Sequence, residues 1–122
     1  MVGYIVKKNK IKKPFFSIIT VVKNDENNII KTIKSVQSQT FKDFEHIIID
    51  GKSTDSTLKK ILNNKKVNFL ISEKDNGIYF AMNKGLRISK GKVILFVNSG
   101  DIITRNALNI VHKKFLNQKI DF

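Results

Sequence analysis

Four runs rich in β-branched and aromatic residues alternate along the chain with stretches whose apolar residues recur at helical spacing. These runs are residues 15–22, 44–50, 67–72 and 92–97. Continuous apolar runs of this length are typical of strands that are buried on both faces. Strands that alternate with helices form βαβ units, with right-handed crossovers and a mostly parallel sheet. The sequence therefore predicts an α/β fold with a Rossmann-like sheet and helices on both faces.

Four connecting helices are predicted from apolar spacing and capping residues. Asn24 or Asp25 can cap the first helix, and Thr104 can cap the last. Each predicted helix lies in one of four segments, some of which begin with a turn or a cap. The segments are residues 25–37, 52–62, 78–89 and 104–117. At 122 residues the chain fits a single domain with a core of its own.

The charge balance of the chain indicates an anionic partner. There are 23 Lys and Arg against 10 Asp and Glu, which gives a formal net charge of +13. Nearly all of this charge is lysine spread along the chain, so a solvated surface accounts for much of it. Nucleic acid is not expected as a partner, because base-reading proteins depend on arginine forks and stacking aromatics. The compact cluster among residues 7–13 favours a role on an anionic membrane surface or another polyanion; it contains Lys7, Lys8, Lys10, Lys12 and Lys13.

Two absences bear on location and chemistry. The chain has no cysteine, so it has no disulfide framework, thiolate nucleophile or cysteine-based zinc site. No apolar run approaches the roughly 20 residues that span a bilayer. We expect a cytoplasmic protein, with peripheral attachment to the inner face of the plasma membrane as an additional expectation.

Polar segments follow every predicted strand. In open α/β sheets, ligands bind beyond the carboxyl ends of the strands. The segments at these ends are KND, DGKSTD, SEKDNG and NSGD. Three of the four combine an acid with a glycine, so we expect them to form one shared polar edge, with Asp101 at one corner.

Each of these segments also has an ordinary interpretation. DGKSTD offers an acceptor for a ribose hydroxyl and backbone N–H groups for phosphate, but the same letters describe a turn and a helix cap. NSGD offers Asp101 as a metal ligand, with Asn98 as a neutral helper, and could equally be a plain turn. Mg²⁺ or Mn²⁺ is typically held by one or two carboxylates together with substrate phosphates. Neither His46 nor His112 lies near a strand end, so both are predicted to be structural or surface residues.

Taken together, three long segments resemble the N-terminal half of family 2 glycosyltransferases, which have the GT-A fold. These segments are FSIITVVKND, TIKSVQSQTFKDFEHIIIDGKSTD and SEKDNGIYFAMNKGLRISKGKVILFVNSGD. The last is similar to the subgroup that makes colanic-acid-type and other bacterial surface polysaccharides. The resemblance divides the chain into a basic leader, residues 1–13, and a truncated nucleotide-sugar-binding half, residues 14–122.

The resemblance implies a site for a nucleotide-diphosphate sugar, linked to UDP or GDP. The implied contacts are Val21, Lys23 and Asn24 at the base or ribose, Asp50 and Gly51 at the nucleoside, Asp75, Gly77, Asn83 and Lys84 at the diphosphate or sugar, and Asn98. Asp101 takes the last position of the family's metal-binding DxD element, so it is expected to bind Mg²⁺ or Mn²⁺ at the diphosphate leaving group.

Three departures from the family pattern limit what can be expected of this chain. Gly51 replaces an aspartate that contacts the nucleoside in the family, and Phe80 replaces an aspartate common in the subgroup. No residue can be assigned as the general base that deprotonates the acceptor, because the family's acceptor half follows this point. We therefore expect a donor-binding domain, inactive or weakly active alone, whose full-length form transfers sugar to a glycan or lipid-linked acceptor. The alternative is a non-catalytic basic module that binds a polyanion or an anionic membrane.

Overall fold

A computed structural model describes residues 4–7 and 13–118 of the chain. The strands in these residues are β1 (Tyr4–Lys7), β2 (Phe16–Val22), β3 (Phe44–Asp50), β4 (Phe69–Ser72) and β5 (Val93–Phe96). The helices are α1 (Ile29–Gln37), α2 (Thr57–Leu62), α3 (Ile78–Ile88) and α4 (Ala107–Asn117). None of these helices is long and apolar enough to cross a bilayer.

The five strands form one sheet in the order β1-β4-β3-β2-β5. β2 pairs in parallel with β3 and with β5, and β3 pairs in parallel with β4. The register places Val22 beside Asp50 and Asp50 beside Ser72, so the carboxyl ends of the three strands lie side by side. The predicted α/β fold with a mostly parallel sheet is confirmed.

Both faces of the sheet are covered, which explains why its strands read as continuous apolar runs. In β3, Ile48 packs with Ile33 of α1 and with residues of α2. Its neighbours Ile47 and Ile49 point the other way and pack with Ala81 of α3. Since successive side chains of a strand point to opposite faces, α3 lies on one face and α1 and α2 on the other. The prediction of helices on both faces is confirmed.

Aromatic residues close the end of the sheet where β2 begins. Phe16 is fully buried, and its ring lies edge-on to those of Phe15 and Phe41, with centroid distances of 4.7 and 5.4 Å. Leu108 of α4 belongs to the same cluster. His112 packs edge-on against Phe15 at 4.7 Å, so the structural role expected of this histidine is confirmed.

Two helices begin later than their sequences suggest. α1 starts at Ile29, and the preceding turn is closed by bonds from the N–H groups of Asn28 and Ile29 to the Asp25 carbonyl, at 3.2 and 3.0 Å. α4 starts at Ala107, whose N–H donates to the Thr104 carbonyl at 3.0 Å. The predicted caps therefore form turns before the helices, and the residue that directly precedes each helix makes no side-chain capping bond.

β1 is an element that the sequence did not predict, because it lies inside the expected basic leader. It pairs antiparallel with β4 at the edge of the sheet, with Tyr4 opposite Ser72 and Lys7 opposite Phe69. A strand of four residues carrying lysine is typical of a protected sheet edge, and such a short strand leaves little pattern to detect. Lys8, Lys10 and Lys12 of the leader lie outside the described residues. The division of the chain at residue 13 stays a prediction.

Candidate functional site

A cavity of about 400 Å³ opens beyond the carboxyl ends of the parallel strands. Its size is in the range of small-molecule sites, and its position is the usual one for a ligand in an α/β sheet. Seven of the predicted contact residues line it: Val21, Lys23, Asn24, Gly51, Asp75, Gly77 and Asn98. Ile78 and Ala81 of α3 add an apolar wall. Sequence segments that are far apart along the chain therefore meet at one site.

The floor of the cavity is held by bonds between the ends of β2 and β5. The Val21 N–H donates to the Asn98 side-chain oxygen at 3.3 Å, and the Ser99 N–H donates to the Val21 carbonyl at 3.1 Å. Asn98 therefore acts in the structure as a clamp between two strand ends, with its amide oxygen engaged by protein.

Asn24 connects the loop after β2 to the loop after β3. Its N–H donates to Ser53 Oγ at 2.8 Å, and its side-chain oxygen accepts from the N–H groups of Thr54 and Asp55 at 2.7 and 3.3 Å. Its backbone is left-handed, with φ of 49°, a conformation that asparagine tolerates better than most residues. Asn24 thus lines the cavity and also fixes the shape of the DGKSTD loop.

Asp50 lies beneath this loop and does not line the cavity. Its side chain is fully buried, and its carboxylate accepts from Ser53 Oγ at 2.5 Å, the Ser53 N–H at 3.0 Å and Ser72 Oγ at 2.7 Å. These three donors replace the water that a carboxylate loses on burial, which would otherwise be costly. The carboxylate joins β3, β4 and the intervening loop, and its predicted contact with a nucleoside stays a prediction.

Gly51 leaves room between two charged neighbours. A Cβ placed on this glycine would lie 3.5 Å from Asp75 Oδ2 and 3.5 Å from the Lys23 side chain, which are ordinary contact distances. The backbone at Gly51 is anchored by its N–H, which donates to the Val22 carbonyl at 2.9 Å. Gly51 therefore lines the cavity without any steric need for glycine at this position.

Lys84 is held by two carboxylates at the side of the cavity. Its ammonium contacts Asp75 Oδ1 and lies 2.8 Å from Glu73 Oε1. Partial burial acts to lower the pKa of Lys84, but the hydrogen bonds to Asp75 and then to Glu73 outweigh it and leave the pKa raised. Lys84 is therefore charged at neutral pH and positions Asp75, whose side chain is only 8% exposed.

Two other α3 positions lie away from the cavity lining. Asn83 is exposed on α3, and Phe80 is 57% exposed. The structure thus does not bring Asn83 together with the other predicted contacts, and its role stays a prediction. The bulk of Phe80 faces solvent and leaves the cavity volume unchanged.

Asp101 lies exposed in a tight turn after β5. The turn is closed by two bonds, from the Asp101 N–H to the Asn98 carbonyl at 2.9 Å and from the Asn98 N–H to Asp101 Oδ2 at 3.2 Å. Gly100 adopts a left-handed φ of 98°, and its N–H donates to Thr32 Oγ1 of α1 at 2.9 Å. Asp101 itself does not line the cavity, although its neighbours Asn98 and Ser99 do. Its second carboxylate oxygen has no bond to the described residues, and its predicted contact with a metal stays a prediction.

The donor set at this turn fits a hard cation only with help from a ligand. Within residues 4–7 and 13–118, no three acidic, histidine or cysteine side chains are grouped to hold a metal. Mg²⁺ keeps several waters and is often held by one or two carboxylates plus substrate phosphates. Asp101 supplies one such carboxylate, so the residues present fit a cation that arrives with a diphosphate.

Asp25 and Ser99 also line the cavity, although neither is among the contacts predicted from the sequence. Asp25 was interpreted as a helix cap, but its Oδ2 accepts from Ser99 Oγ at 2.8 Å and its Oδ1 from Asn28 at 2.9 Å. Its N–H donates to Thr57 Oγ1 at 2.9 Å. The available signal was their position in KND and NSGD, directly after two strands.

A buried histidine lies in the sheet below the site. His46 is 1% exposed, and its Nε2 lies 2.8 Å from Thr20 Oγ1, which donates to the Val97 carbonyl at 2.7 Å. Thr20 Oγ1 must therefore accept a hydrogen bond from Nε2–H. This leaves Nδ1 as the unprotonated nitrogen, which is buried and has no partner among the described residues. Burial lowers the pKa of His46 from 6.5 to about 3. The structural role predicted for this histidine is confirmed.

Comparison with known proteins identifies related sequences along nearly the whole chain. The model of the family described as glycosyl transferase family 2 matches residues 17–121. The chain is 39% identical over 100 residues to the UDP-Glc:alpha-D-GlcNAc-diphosphoundecaprenol beta-1,3-glucosyltransferase WfaP of Escherichia coli, covering 79% of this chain and 39% of the relative. It is 37% identical over 91 residues to an uncharacterised glycosyltransferase of Mycobacterium tuberculosis, covering 72% of this chain and 34% of the relative.

A solved structure shares the fold. The crystal structure of S. aureus TarS residues 1–349 in complex with UDP-GlcNAc superposes with a TM-score of 0.76 at 28% identity. The match covers 84% of this chain and 31% of TarS 1–349. The chain thus spans about a third of the length of these relatives, and the parallel sheet with its flanking helices corresponds to the N-terminal part of the GT-A fold.

Proposed function

This chain belongs to glycosyl transferase family 2, and we propose that it binds a UDP-linked sugar as the donor part of a glycosyltransferase. The observation that carries the proposal is the cavity at the carboxyl ends of β2 to β5, lined by seven of the residues expected to contact a nucleotide sugar. The names of the relatives support the choice of UDP, since the Escherichia coli relative uses UDP-Glc and the TarS crystal contains UDP-GlcNAc.

In this proposal the nucleoside occupies the part of the cavity between the ends of β2 and β3. Val21 offers an apolar contact there, and Lys23 is exposed and carries a positive charge at the rim. Asn24 and Asp50 shape the loop that surrounds the nucleoside through their bonds to Ser53 and Thr54. The space beside Gly51 admits a larger group than the family's aspartate would allow.

The diphosphate and sugar lie toward α3 and the NSGD turn. Asp75 is fixed by Lys84 so that its carboxylate faces a sugar hydroxyl, and Gly77 lets the chain turn into α3 with a φ of 120°. Asp101 would hold Mg²⁺ or Mn²⁺, and a bound cation would supply charge neutralisation to the departing diphosphate. The clamp made by Asn98 and the bond to Thr32 hold the turn so that this carboxylate is oriented before any ligand arrives.

The acceptor is proposed from the relatives. We infer that the longer protein transfers the sugar to a lipid-linked or glycan acceptor in surface-polysaccharide synthesis. The name of the Escherichia coli relative supports the lipid-linked acceptor, since it gives a diphosphoundecaprenol-linked sugar as that protein's acceptor. Such an acceptor would be met at the inner face of the plasma membrane. The general base is not assigned to any residue of this chain, so we expect the chain alone to be inactive or weakly active. The alternative of a non-catalytic basic module is not favoured by the family match.

Replacing Asp101 with alanine is expected to weaken metal-dependent nucleotide binding strongly. Calorimetric titration of UDP and GDP, each with and without Mn²⁺, should show wild-type binding that requires the metal and is tighter for UDP. Asp101→Ala removes the carboxylate that faces the diphosphate and should weaken UDP binding with Mn²⁺ at least about tenfold, since hydrogen bonds and contacts to charged groups contribute about 1.5–3 kcal/mol.

Asp43→Ala is the matched control for this titration. Asp43 is an exposed aspartate located directly before β3, at the opposite end of the parallel strands, so its loss changes the net charge equally without touching the cavity. Its affinity for UDP should equal that of the wild type. Absence of binding of either nucleotide to the wild type with Mn²⁺ present would overturn the proposal.

A further inference from the structure

A second cavity, of about 760 Å³, lies on the outer side of α1 and is lined by four cationic side chains. Lys31 and Lys34 come from α1, Lys42 from the loop before β3, and Arg105 from the segment before α4. No acidic residue lines this cavity, which we call the basic groove. Three separate segments therefore place cations around one concave surface. A uniform spread of lysine along the chain does not by itself explain this clustering.

The basic groove is built on a firmly connected frame. The Thr40 N–H donates to the Arg105 carbonyl at 3.0 Å, and the Ile103 N–H donates to Ser35 Oγ at 3.3 Å. The fully buried Gln39 side chain donates to the Thr104 carbonyl at 2.7 Å. The backbone that carries the cations is thus fixed before any ligand binds, which lowers the entropy cost of binding.

The charges in the basic groove are available to a ligand. Lys31, Lys34 and Arg105 are exposed, and no acidic side chain of residues 13–118 forms an ion pair with any of the three. Lys42 donates to the Gln37 carbonyl at 2.8 Å, which orients its ammonium at the edge of the groove. By contrast, Lys84 is neutralised by two carboxylates. The groove is therefore a concentrated positive surface on an already basic protein.

We propose that the basic groove docks on the phosphate head groups of an anionic lipid bilayer. Juxtaposed lysine and arginine side chains attract anionic lipid within a Debye length of the surface. Ile102 lines the same groove and is 64% exposed, so an apolar side chain projects beside the cations. A soluble phosphate would gain nothing from that isoleucine, whereas a bilayer accepts it at the acyl boundary. The combination favours a lipid surface over a free anion.

If the basic groove docks on a bilayer, the NSGD turn lies close to the membrane. Ile102 follows Asp101 directly, and the Gly100 N–H is bonded to Thr32 on α1, the helix that carries Lys31 and Lys34. The donor cavity and the basic groove therefore lie on two sides of the same turn. The benefit of this arrangement for sugar transfer rests on the proposed function, but the lipid binding itself does not.

The test is co-sedimentation of the full chain with vesicles. Binding is measured on phosphatidylglycerol–phosphatidylcholine vesicles and on phosphatidylcholine vesicles alone, for the wild type and for the double variant Lys31→Gln/Lys34→Gln. Each cation near an anionic surface contributes about fivefold to binding, so the double variant should bind anionic vesicles about 30-fold more weakly. The matched control Lys59→Gln/Lys66→Gln removes the same charge from exposed positions outside the groove and should lose only a few-fold.

Two more arms separate docking on a lipid surface from the binding of a soluble anion. Ile102→Ser should weaken vesicle binding without altering the charge, and millimolar inorganic diphosphate should compete only as its ionic strength predicts. Equal losses of vesicle binding in the double variant and in the control would overturn the proposal. Complete loss of vesicle binding on changing Lys8, Lys10 and Lys12 to Gln would also overturn it. Specific displacement by diphosphate with no effect of Ile102→Ser would assign the groove to a soluble anion instead.

A nucleotide titration distinguishes failure of the lipid-docking proposal from failure of the proposed nucleotide binding. Lys31 and Lys34 do not line the donor cavity, so the double variant should bind UDP with Mn²⁺ as the wild type does. Lost vesicle binding with unchanged UDP binding supports the docking surface. Unchanged vesicle binding in the double variant contradicts it, whatever the outcome of the UDP titration.

Discussion

Lowering the pH from 7 to 4 is expected to cost the folded protein about 3 kcal/mol through His46 alone. Burial lowers the folded-state pKa of His46 to about 3, while the unfolded chain keeps a value near 6.5. Between these values the unfolded state binds the proton and the folded state does not, so the free energy of unfolding falls as the pH falls. At about 1.36 kcal/mol per pKa unit, the loss begins near pH 6.5 and approaches its full size near pH 3.

Urea unfolding of wild type and His46→Gln at several pH values measures this effect. Glutamine keeps an N–H that can donate to Thr20 Oγ1, and it does not titrate. The carboxylates titrate alike in both proteins, so the difference between the two unfolding free energies isolates the histidine. We expect the wild type to lose about 3 kcal/mol more than the variant between pH 7 and pH 4. Parallel pH profiles would show that His46 is protonated without penalty in the folded protein.

Gly91→Ala is expected to lower the free energy of unfolding by about 2–3 kcal/mol. A Cβ on Gly91 would lie 2.5 Å from the Ser17 nitrogen and 2.6 Å from the Phe16 carbonyl carbon, both of which belong to the backbone of β2. Backbone atoms in a central strand cannot move aside as a flexible side chain can, so the loop must shift. The shift would break the bond from the Gly91 N–H to Ser17 Oγ, which is 2.8 Å long.

That bond is part of a buried network that amplifies the effect. Ser17 Oγ donates to Glu45 Oε2 at 2.5 Å, and the same carboxylate oxygen accepts from the Lys90 N–H at 2.7 Å. Gly51→Ala is the control, because its Cβ would meet only atoms at 3.5 Å and its backbone is not left-handed. Urea unfolding should show a change of less than about 1 kcal/mol for the control. Equal stability of the two variants would contradict the close approach at Gly91.

The sheet was predictable because burial on both faces produces continuous apolar runs in the sequence. The run FEHIIID was predicted as a strand over residues 44–50, and β3 spans Phe44–Asp50. Helix ends were less predictable. The Asp25 carboxylate can either cap α1 or accept a hydrogen bond from Ser99, 74 residues away, and in the structure it bonds to Ser99. No local rule weighs such a long-range contact. β1 was missed for the opposite reason, since four residues at an edge need no strong pattern.

The candidate site was predictable in its place and only partly in its members. Parallel strand ends must meet, so the polar segments after them identified the cavity correctly. The sequence did not predict the direction in which each side chain points. Asp50 ends its strand with the carboxylate turned into the protein, toward Ser53 and Ser72, and Asn83 is exposed away from the cavity lining. Side-chain direction depends on the hydrogen bonds that become available only when distant loops are brought together.

The interior position of β2, between β3 and the edge strand β5, determines when the candidate site can form during synthesis. One neighbour of β2 is β3, which follows soon after it, and the other is β5, whose end contacts Val21 through Asn98, 77 residues later. Closing so long a loop is costly and slow, so β2 and β3 should pair first and leave one edge of β2 open. Open strand edges promote association between nascent chains. Because Asn98 and Ser99 line the cavity, any ligand that binds there would select chains in which this last pairing is complete.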